Sequence, residues 1–277
     1  MTAATPLSPW PYPRWVAHRG AGKLAPENTL AAFRLGAEHG YRMYECDVKL
    51  SADGVPFLLH DDTLERTSNI ASTPYANTAS TANQAVEHAG QAVAATKTIA
   101  GNLPWSTLSQ LDAGSWHSRR YAGETLPTLE AIARFCLANR HFLNIEIKPT
   151  PGTEHHTGAV VAQHAARLWQ GQAVPPLLSS FAPEALAGAK SSRPALPRGL
   201  LLEELHPGWL DTALQLQCVA VICDYQLWTP ESVSAVQDAG LKALSYTVND
   251  AAAATHLLEV LHTDGIITDR VDLFSAA

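Results

Sequence analysis

Acidic side chains interrupt two otherwise apolar stretches of this 277-residue sequence. Glu45 and Asp47 lie in one stretch, and Glu146 and Lys148 lie in the other. Residues two apart in a strand face the same side, so each pair would present both charged groups to one surface. Unpaired charges on strands this apolar would lose much of their hydration, and they therefore need compensation.

A divalent cation would compensate these charges economically. Three carboxylates from neighbouring strand ends supply the hard oxygen ligands that suit Mg²⁺ or Ca²⁺, with Mn²⁺ as a further candidate. The predicted metal ligands are Glu45, Asp47 and Glu146. The alternative is a salt-bridge network without a metal, formed by basic residues of the same strands and their ends: Arg19, Arg42 and Lys148.

Two of the twelve histidines directly follow apolar runs of strand type. His18, with Arg19 beside it, follows the first run, and His60 ends the return arm of a predicted hairpin. If the strands form a parallel barrel, as the order of elements below predicts, both imidazoles lie at the carboxyl-terminal end, where barrel enzymes have their active sites. His18 and His60 are therefore the predicted catalytic pair.

The hairpin turn determines where His60 lies. Asp53-Gly54 is a strong signal for a two-residue turn. With these residues as the turn, His60 is predicted to lie opposite Asp47. A register shift of one residue would turn the histidine to the other face.

Together these groups fit hydrolysis of a phosphodiester. The pKa of an imidazole lies near 6.5 in the absence of perturbation, so one histidine can take a proton while another gives one. Arg19, Lys148 and a metal would neutralise the phosphate and the charge that develops on it. The residues alone predict a metal-assisted hydrolase of a small anion.

The order of elements predicts how these groups are positioned. Eight strand-type runs alternate with helical segments, which favours an α/β protein with a closed (β/α)8 TIM barrel. The predicted strands are 15–17, 43–48, 142–147, 177–181, 199–202, 219–223, 243–248 and 265–268. The predicted helices are 29–39, with Asn28 as the candidate cap, 129–139, 158–169, 183–190, 230–239 and 250–261.

One interruption of the alternation lies between Asp61 and Pro127. Its middle, residues 71–100, is rich in Ala, Thr, Asn and Gln, with a weak helical run at 83–95. Long segments of this kind act as lids over a site or are surface excursions without function. We therefore expect a single domain over 1–277 with an insertion subdomain at 61–127, after the second strand.

Composition narrows the classes of partner. The net charge of −7 and pI near 5.9 argue against a nucleic-acid-binding surface. No secretory signal or membrane-spanning run is recognisable, so we expect a cytoplasmic protein with a small-molecule substrate and no membrane partner. The four cysteines, without CxxC spacing, are expected to be buried thiols.

Ordered motifs over nearly the whole chain resemble the glycerophosphodiester phosphodiesterase family. The strongest are His18-Arg19-Gly20, Glu45-Cys46-Asp47, His60-Asp61, Asn144-Ile145-Glu146-Ile147-Lys148, Ser179-Ser180-Phe181, Thr247-Val248-Asn249 and Thr268-Asp269. The resemblance implies a phosphodiesterase-type barrel with an insertion after the second strand. It also implies that a glycerophosphodiester is hydrolysed to glycerol 3-phosphate and an alcohol.

The resemblance implies roles residue by residue: the three carboxylates bind the metal, the two histidines are general acid and base, and Arg19 and Lys148 hold the phosphate. Glu27 and Asn28 would support the loop after His18. Tyr246 stands where the family usually has Trp, so this wall of the substrate site is expected to differ.

The sequence leaves two other functions open. One is a phosphodiesterase of the phospholipase C or sphingomyelinase D type, acting on a lipid or lysolipid. The other is a catalytically silent binding module on the same barrel. The complete set of predicted catalytic residues argues against the silent module.

Overall fold

The computed structural model describes residues 10–76 and 97–275, whose parallel strands close into a ring. The first strand pairs in parallel with both the second and the last, which closes the barrel. One short strand lies outside the ring, as the antiparallel return arm of a hairpin. The strands are β1 Trp15–Ala17, β2 Met43–Leu50, β3 Pro56–Leu58 (the return arm), β4 Phe142–Ile147, β5 Leu177–Ser180, β6 Arg198–Leu202, β7 Ala220–Asp224, β8 Lys242–Tyr246 and β9 Gly265–Thr268. The predicted eight-stranded (β/α)8 barrel is confirmed.

Alternation along the strands divides the barrel interior into two levels. Val16, Met43 and Leu244 belong to a buried apolar cluster. Two residues further along the same strands, on the same face, are polar groups such as Glu45 and Tyr246. The amino-terminal half of the interior is therefore an apolar plug, and the carboxyl-terminal half carries the polar groups.

Helices pack against the outward-facing strand residues, which form two large apolar clusters. The helices are α1 Leu30–Glu38, α2 Trp105–Leu108, α3 Leu129–Asn139, α4 Glu154–Leu168, α5 Pro183–Ser192, α6 Trp209–Gln215, α7 Pro230–Asp238 and α8 Ala251–Thr255, the last continued by a π-helical turn at His256–Val260. Two of them, α2 and α6, are missing from the prediction. The four cysteines are free and buried, as predicted.

The cap of α1 differs from the prediction. Thr29, rather than Asn28, is the N-cap residue, and its hydroxyl accepts the N–H of Ala32 at 3.3 Å. The side chain of Asn28 instead bonds Asp47 twice, donating Nδ2–H to its carboxylate and accepting its backbone N–H. Asn28 is thus committed to the carboxylate cluster and is not available to the helix.

The β2–β3 hairpin also has a different register from the predicted one. The Ser51 N–H donates to the Val55 carbonyl at 3.0 Å, so residues 52–54 form a three-residue loop. Gly54 has φ of 80°, the left-handed conformation that ends such loops. Leu59, whose N–H donates to the carbonyl of Asp47, lies opposite that residue. The prediction that His60 pairs with Asp47 is therefore wrong, although His60 still reaches the same cavity beyond the end of β3.

The described part of the insertion has an apolar cluster of its own. Ile70, Leu103, Leu108 and Leu111 pack with Phe57 of β3, apart from the clusters of the barrel. This separate cluster supports the insertion subdomain at 61–127 within a single domain 1–277, which stays a prediction. The expected helical run at 83–95 lies outside the described residues.

Two glycines allow α4 and α5 to pack unusually closely. A Cβ atom on Gly158 would collide with the carbonyl oxygen of Ala185, and one on Gly188 would collide with that of His155. Both obstacles are backbone atoms, so a side-chain movement cannot relieve either collision. The two helices must separate if either glycine gains a side chain.

We expect Gly158→Ala to lower the free energy of unfolding by about 1–3 kcal/mol, the usual cost of overpacking. Gln163→Ala, on the exposed face of the same helix, is the control and should change stability by less than about 0.5 kcal/mol. Urea unfolding of both variants measures the difference. Equal stability of the two variants would contradict the close packing.

Candidate active site

Three carboxylates meet at the carboxyl-terminal level of the barrel. Asp47 on β2 is the parallel partner of Glu146 on β4, and Glu45 lies two residues before Asp47 on the same face. One oxygen from each of the three carboxylates lies within 4.8 Å of the others. Their side chains are all buried, with at most 7% of any residue exposed. The structure thus brings together the three predicted metal ligands.

Each carboxylate has one buried oxygen that accepts no hydrogen bond, although that of Glu146 is ion-paired with Lys148. Glu45 Oε1, Asp47 Oδ1 and Glu146 Oε1 are buried and accept no hydrogen bond from any described residue. By contrast, Glu45 Oε2 accepts the backbone N–H of Arg19 at 3.0 Å, and Asp47 Oδ2 accepts Asn28 Nδ2–H at 2.8 Å. Three buried carboxylate oxygens at this spacing fit a hard divalent cation.

The cluster perturbs the acidity of its own members. Burial, followed by repulsion from Asp47, raises the pKa of Glu45 and brings that of Glu146 to about 7. Burial would also raise the pKa of Asp47, but Arg19, His60 and Lys148 together hold it below its usual value. The surrounding positive groups therefore favour the ionised form of Asp47 over that of the other two carboxylates.

Two cations lie against the cluster. Arg19 Nε lies 3.2 Å from Asp47 Oδ2, and Lys148 Nζ lies 2.9 Å from Glu146 Oε1 and 3.9 Å from Asp47 Oδ1. The Arg19–Asp47 and Lys148–Glu146 contacts are ion pairs without hydrogen-bond geometry. Arg42, the third basic residue of the metal-free alternative, is exposed before the first residue of β2. Two cations thus face three carboxyl groups. If all three are ionised, one negative charge is left unbalanced, which a metal ion could neutralise.

Both predicted catalytic histidines are oriented by a carboxylate. The Nδ1 atom of His18 lies 2.7 Å from Asp269, and that of His60 lies 2.7 Å from Asp61. Hydrogen bonding from His18 holds the pKa of Asp269 at about 2 against the effect of burial, and Arg66 holds that of Asp61 well below its usual range. Ionised carboxylates only accept, so each Nδ1 must carry the proton and each Nε2 is left for proton exchange.

A chain of charged groups links the two histidine loops. Arg66 donates to both oxygens of Glu27 at 2.7–2.8 Å and to Asp61 at 2.6 Å. Glu27 in turn accepts from Arg19 at 2.9 Å. The loop after β1 is thereby tied to the start of the insertion, next to His60.

The backbone of the first loop is strained where it approaches the cluster. Arg19 and Asn28 both have positive φ values, of 51° and 59°, which is uncommon for residues other than glycine. A hydrogen bond from the Asn28 N–H to the Arg19 carbonyl joins the two residues. Strain at both positions is typical of backbone held in place for a functional site.

The cluster opens into a cavity of about 150 Å³. Seven of the eight predicted site residues line it, and Asp47 is buried behind them. Tyr246 donates its hydroxyl to the Leu202 carbonyl at 3.0 Å and packs edge-on against Phe181. The lining residues are His18, Arg19, Glu45, His60, Asn144, Glu146, Lys148, Phe181, Leu201, Glu203, Tyr246, Thr247 and Ile267.

Several site residues had no predicted role. Asp269, with Asn249 donating to it at 3.0 Å, and Asp61 orient the histidines. Asn144 lines the cavity, and its buried amide has no hydrogen-bond partner among the described residues. Asp61 directly follows a predicted catalytic histidine, and Asp269 directly follows β9, so these positions in the sequence were a usable signal.

Comparison with known proteins places the chain in a family. The model of the Glycerophosphoryl diester phosphodiesterase family matches residues 18–273. The chain belongs to this family. A glycerophosphodiester phosphodiesterase of Caldanaerobacter subterraneus subsp. tengcongensis is 29% identical over 92% of this chain and 93% of its own length.

Solved structures of the glycerophosphodiester phosphodiesterase family agree with this placement. An Oleispira antarctica phosphodiesterase, solved with the product sn-glycerol-3-phosphate, is similar with a TM-score of 0.79, 31% identity and 96% coverage of both chains. A glycerophosphodiester phosphodiesterase from Agrobacterium tumefaciens is similar with a TM-score of 0.71 and 28% identity, covering 96% of this chain and all of that one. The expected family and enzyme class are confirmed.

Across residues 10–76 and 97–275, every helix is too short or too polar to cross a lipid bilayer.

The raised pKa of Glu146 predicts a pH-dependent stability in EDTA. A carboxyl group with a folded-state pKa of about 7 binds more protons in the folded than in the unfolded state, so its contribution is complete below pH about 4 and is lost as the pH rises through 7. The stability of the wild type minus that of Glu146→Gln should therefore fall between pH 5 and 8. Urea unfolding across this range measures the difference.

Glu184→Gln, at an exposed position of α5, is the matched control for this experiment. The wild-type-minus-control difference should stay flat over the same pH range. A wild-type-minus-Glu146→Gln difference that rises with pH would contradict the raised pKa.

Proposed function

We propose that this protein hydrolyses glycerophosphodiesters to sn-glycerol 3-phosphate and an alcohol, with a divalent cation held by Glu45, Asp47 and Glu146. The observation that carries the proposal is the cluster of three buried carboxylates, with oxygens within 4.8 Å of one another, beside a cavity lined by two oriented histidines. Family membership supports the reaction class. The product sn-glycerol-3-phosphate, bound in the Oleispira antarctica relative, supports the substrate class.

Phosphate binding is proposed for Arg19 and Lys148. Both side chains line the cavity, and both are about four-fifths buried, which strengthens their interaction with an anion. Burial alone would lower the pKa of Lys148, but Glu146 and Asp47 raise it, so the amine stays protonated. A bound divalent cation would supply Lewis-acid polarisation of the phosphate and charge neutralisation beside these two groups.

Proton transfer is proposed for His18 and His60. Water attacks phosphorus while one imidazole Nε2 takes its proton, and the bond between phosphorus and the alcohol oxygen breaks as the other imidazole protonates that oxygen. Burial lowers the pKa of His60, Arg19 and Lys148 lower it further, and Asp47 acts in the opposite direction. Asp269 and Asp61 fix the two ring orientations.

The identity of the metal is proposed from ligand type alone. All three proposed ligands are carboxylates, which favours Mg²⁺ or Ca²⁺, with Mn²⁺ as a third candidate. Cysteine and histidine, the ligands typical of zinc sites, are absent from the three-residue cluster found among the described residues.

The lipid-directed alternative has less support. Among the described residues, Trp116 is the one exposed large apolar side chain that lines a cleft beside the cavity. Binding to a lipid surface usually requires a broader apolar or basic face. The silent-module alternative is opposed by the presence of every group that the reaction needs.

Metal dependence is the first test. Release of glycerol 3-phosphate from glycerophosphocholine should cease in EDTA and return with added Mg²⁺, Mn²⁺ or Ca²⁺. Asp47→Asn should weaken metal binding, measured by calorimetry, by about 10-fold or more, because an amide is a poorer ligand for a hard cation. The control Asp211→Asn makes the same change at an exposed position of α6 and should bind metal normally. Full activity after exhaustive chelation would refute the metal assignment.

The histidines are the second test. His18→Ala or His60→Ala should lower kcat by roughly 10²–10⁴-fold while metal affinity and the melting temperature stay near wild-type values. The double variant should lose less than the product of the single losses, because acid and base serve one reaction.

His156→Ala, on the exposed first turn of α4, is the matched control. Its kcat should equal that of the wild type. A loss in this control comparable with that of His18→Ala, or normal kcat for His18→Ala, would exclude the acid and base assignment.

A further inference from the structure

The catalytic cavity continues into two clefts on different sides. One, here called the β6 cleft, has a volume of about 570 Å³ and shares Phe181, Leu201 and Glu203 with the cavity. The other, here called the Arg66 cleft, has a volume of about 430 Å³ and shares His18 and Arg19 with it. A diester whose phosphate lies at Arg19 and Lys148 has two arms, and each cleft can receive one.

Ion pairs neutralise the basic groups of the Arg66 cleft. Arg66 is bonded to the carboxylates of Glu27 and Asp61, and Lys23 lies 3.9 Å from Asp269. These cations are therefore already balanced by neighbours, and the cleft offers little free charge to a substrate arm.

The β6 cleft has an anionic group with no such balance. Glu203 is the first residue after β6, is exposed at the mouth, and forms no ion pair or hydrogen bond with any described residue. Glu204 beside it lines the same cleft and is also without an ion pair among the described residues. The only basic side chain lining this cleft in the described part of the chain is that of His206.

Two aromatic rings line the cavity together with Glu203 and the proposed phosphate-binding residues. Phe181 and Tyr246 meet edge to face with 5.6 Å between ring centroids, and Lys148 Nζ lies 5.3 Å from the centroid of Phe181. The charge of Glu203 reaches these rings: after burial, it is the largest influence raising the pKa of Tyr246. An arm that extends from a phosphate at Lys148 into the β6 cleft could contact both Phe181 and Glu203, which line the cavity and the cleft.

We propose that the β6 cleft binds the alcohol arm of glycerophosphodiesters and selects arms that carry a positive charge, such as choline and ethanolamine, with Glu203 as the specificity-determining residue. A carboxylate beside aromatic faces is the environment that recognises an ammonium group. This assignment rests on the proposed function, and it adds the class of alcohol that the site prefers.

The size of the preference for a cationic arm follows from the exposure of Glu203 to solvent. An ion pair open to solvent is worth little, and the aromatic faces add a comparable contribution. The wild type should therefore prefer glycerophosphocholine and glycerophosphoethanolamine over the neutral glycerophosphoglycerol by about 3- to 10-fold in kcat/KM. The preference should shrink at high ionic strength because salt screens an exposed carboxylate.

The experiment compares kcat/KM for these three diesters in the wild type, Glu203→Gln and Glu203→Lys. Glu203→Gln should lower the choline-to-glycerol ratio of kcat/KM by about 2- to 5-fold, mainly through KM, because the contribution of the aromatic faces remains, and Glu203→Lys should lower it further. Glu259→Gln makes the same chemical change on the exposed turn after α8 and should leave the ratio unchanged. Melting temperatures of all variants check that each is folded.

Two outcomes overturn parts of the scheme separately. If the wild type hydrolyses these diesters but Glu203→Gln and Glu203→Lys keep its choline-to-glycerol ratio, the β6 cleft does not select a cationic arm. If the folded, metal-loaded wild type releases glycerol 3-phosphate from none of the three, the proposed function itself fails.

Discussion

Mutual repulsion among three buried carboxylates is the constraint on which the rest of the site depends. Glu45, Asp47 and Glu146 share one small volume with almost no exposure to solvent. Burial at this level is costly unless charges are paired, and the surrounding structure supplies what it can through Arg19 and Lys148. The remaining imbalance would favour binding of the proposed divalent cation.

The compensating groups come from loops, and the loops are held by further charges. Arg19 has a positive φ where it meets the carboxylates, and Asn28, which also has a positive φ, bonds Asp47 twice through its side chain. Arg66 then joins the first loop to the insertion through Glu27. The segment that carries His60 at the start of the insertion is thus tied to the loop that carries His18, so the insertion helps to position the candidate site.

Sequence patterns correctly predicted the features that follow from the periodicity of strands and helices. They missed features in which a side chain has several possible hydrogen-bond partners. Strand alternation was sufficient to place the carboxylates on one face of the barrel, and βα alternation to predict eight strands. The hairpin register failed because Asp53, read as a turn residue, accepts the N–H of Trp105 from the insertion while Gly54 ends a longer loop. Asn28 failed as a cap for a related reason, since Asp47 competes with the helix for its side chain.

With the proposed metal in place, charge balance would favour a phosphodiester in this cavity over its monoester product. With a divalent cation bound, the three carboxylates, Arg19 and Lys148 would leave one net positive charge, which a diester monoanion neutralises. The product monoester carries additional negative charge near neutral pH. That charge would no longer be balanced within a mostly buried site, so repulsion from the carboxylates would favour release of glycerol 3-phosphate. The ligand set that attracts the metal would therefore also limit product inhibition.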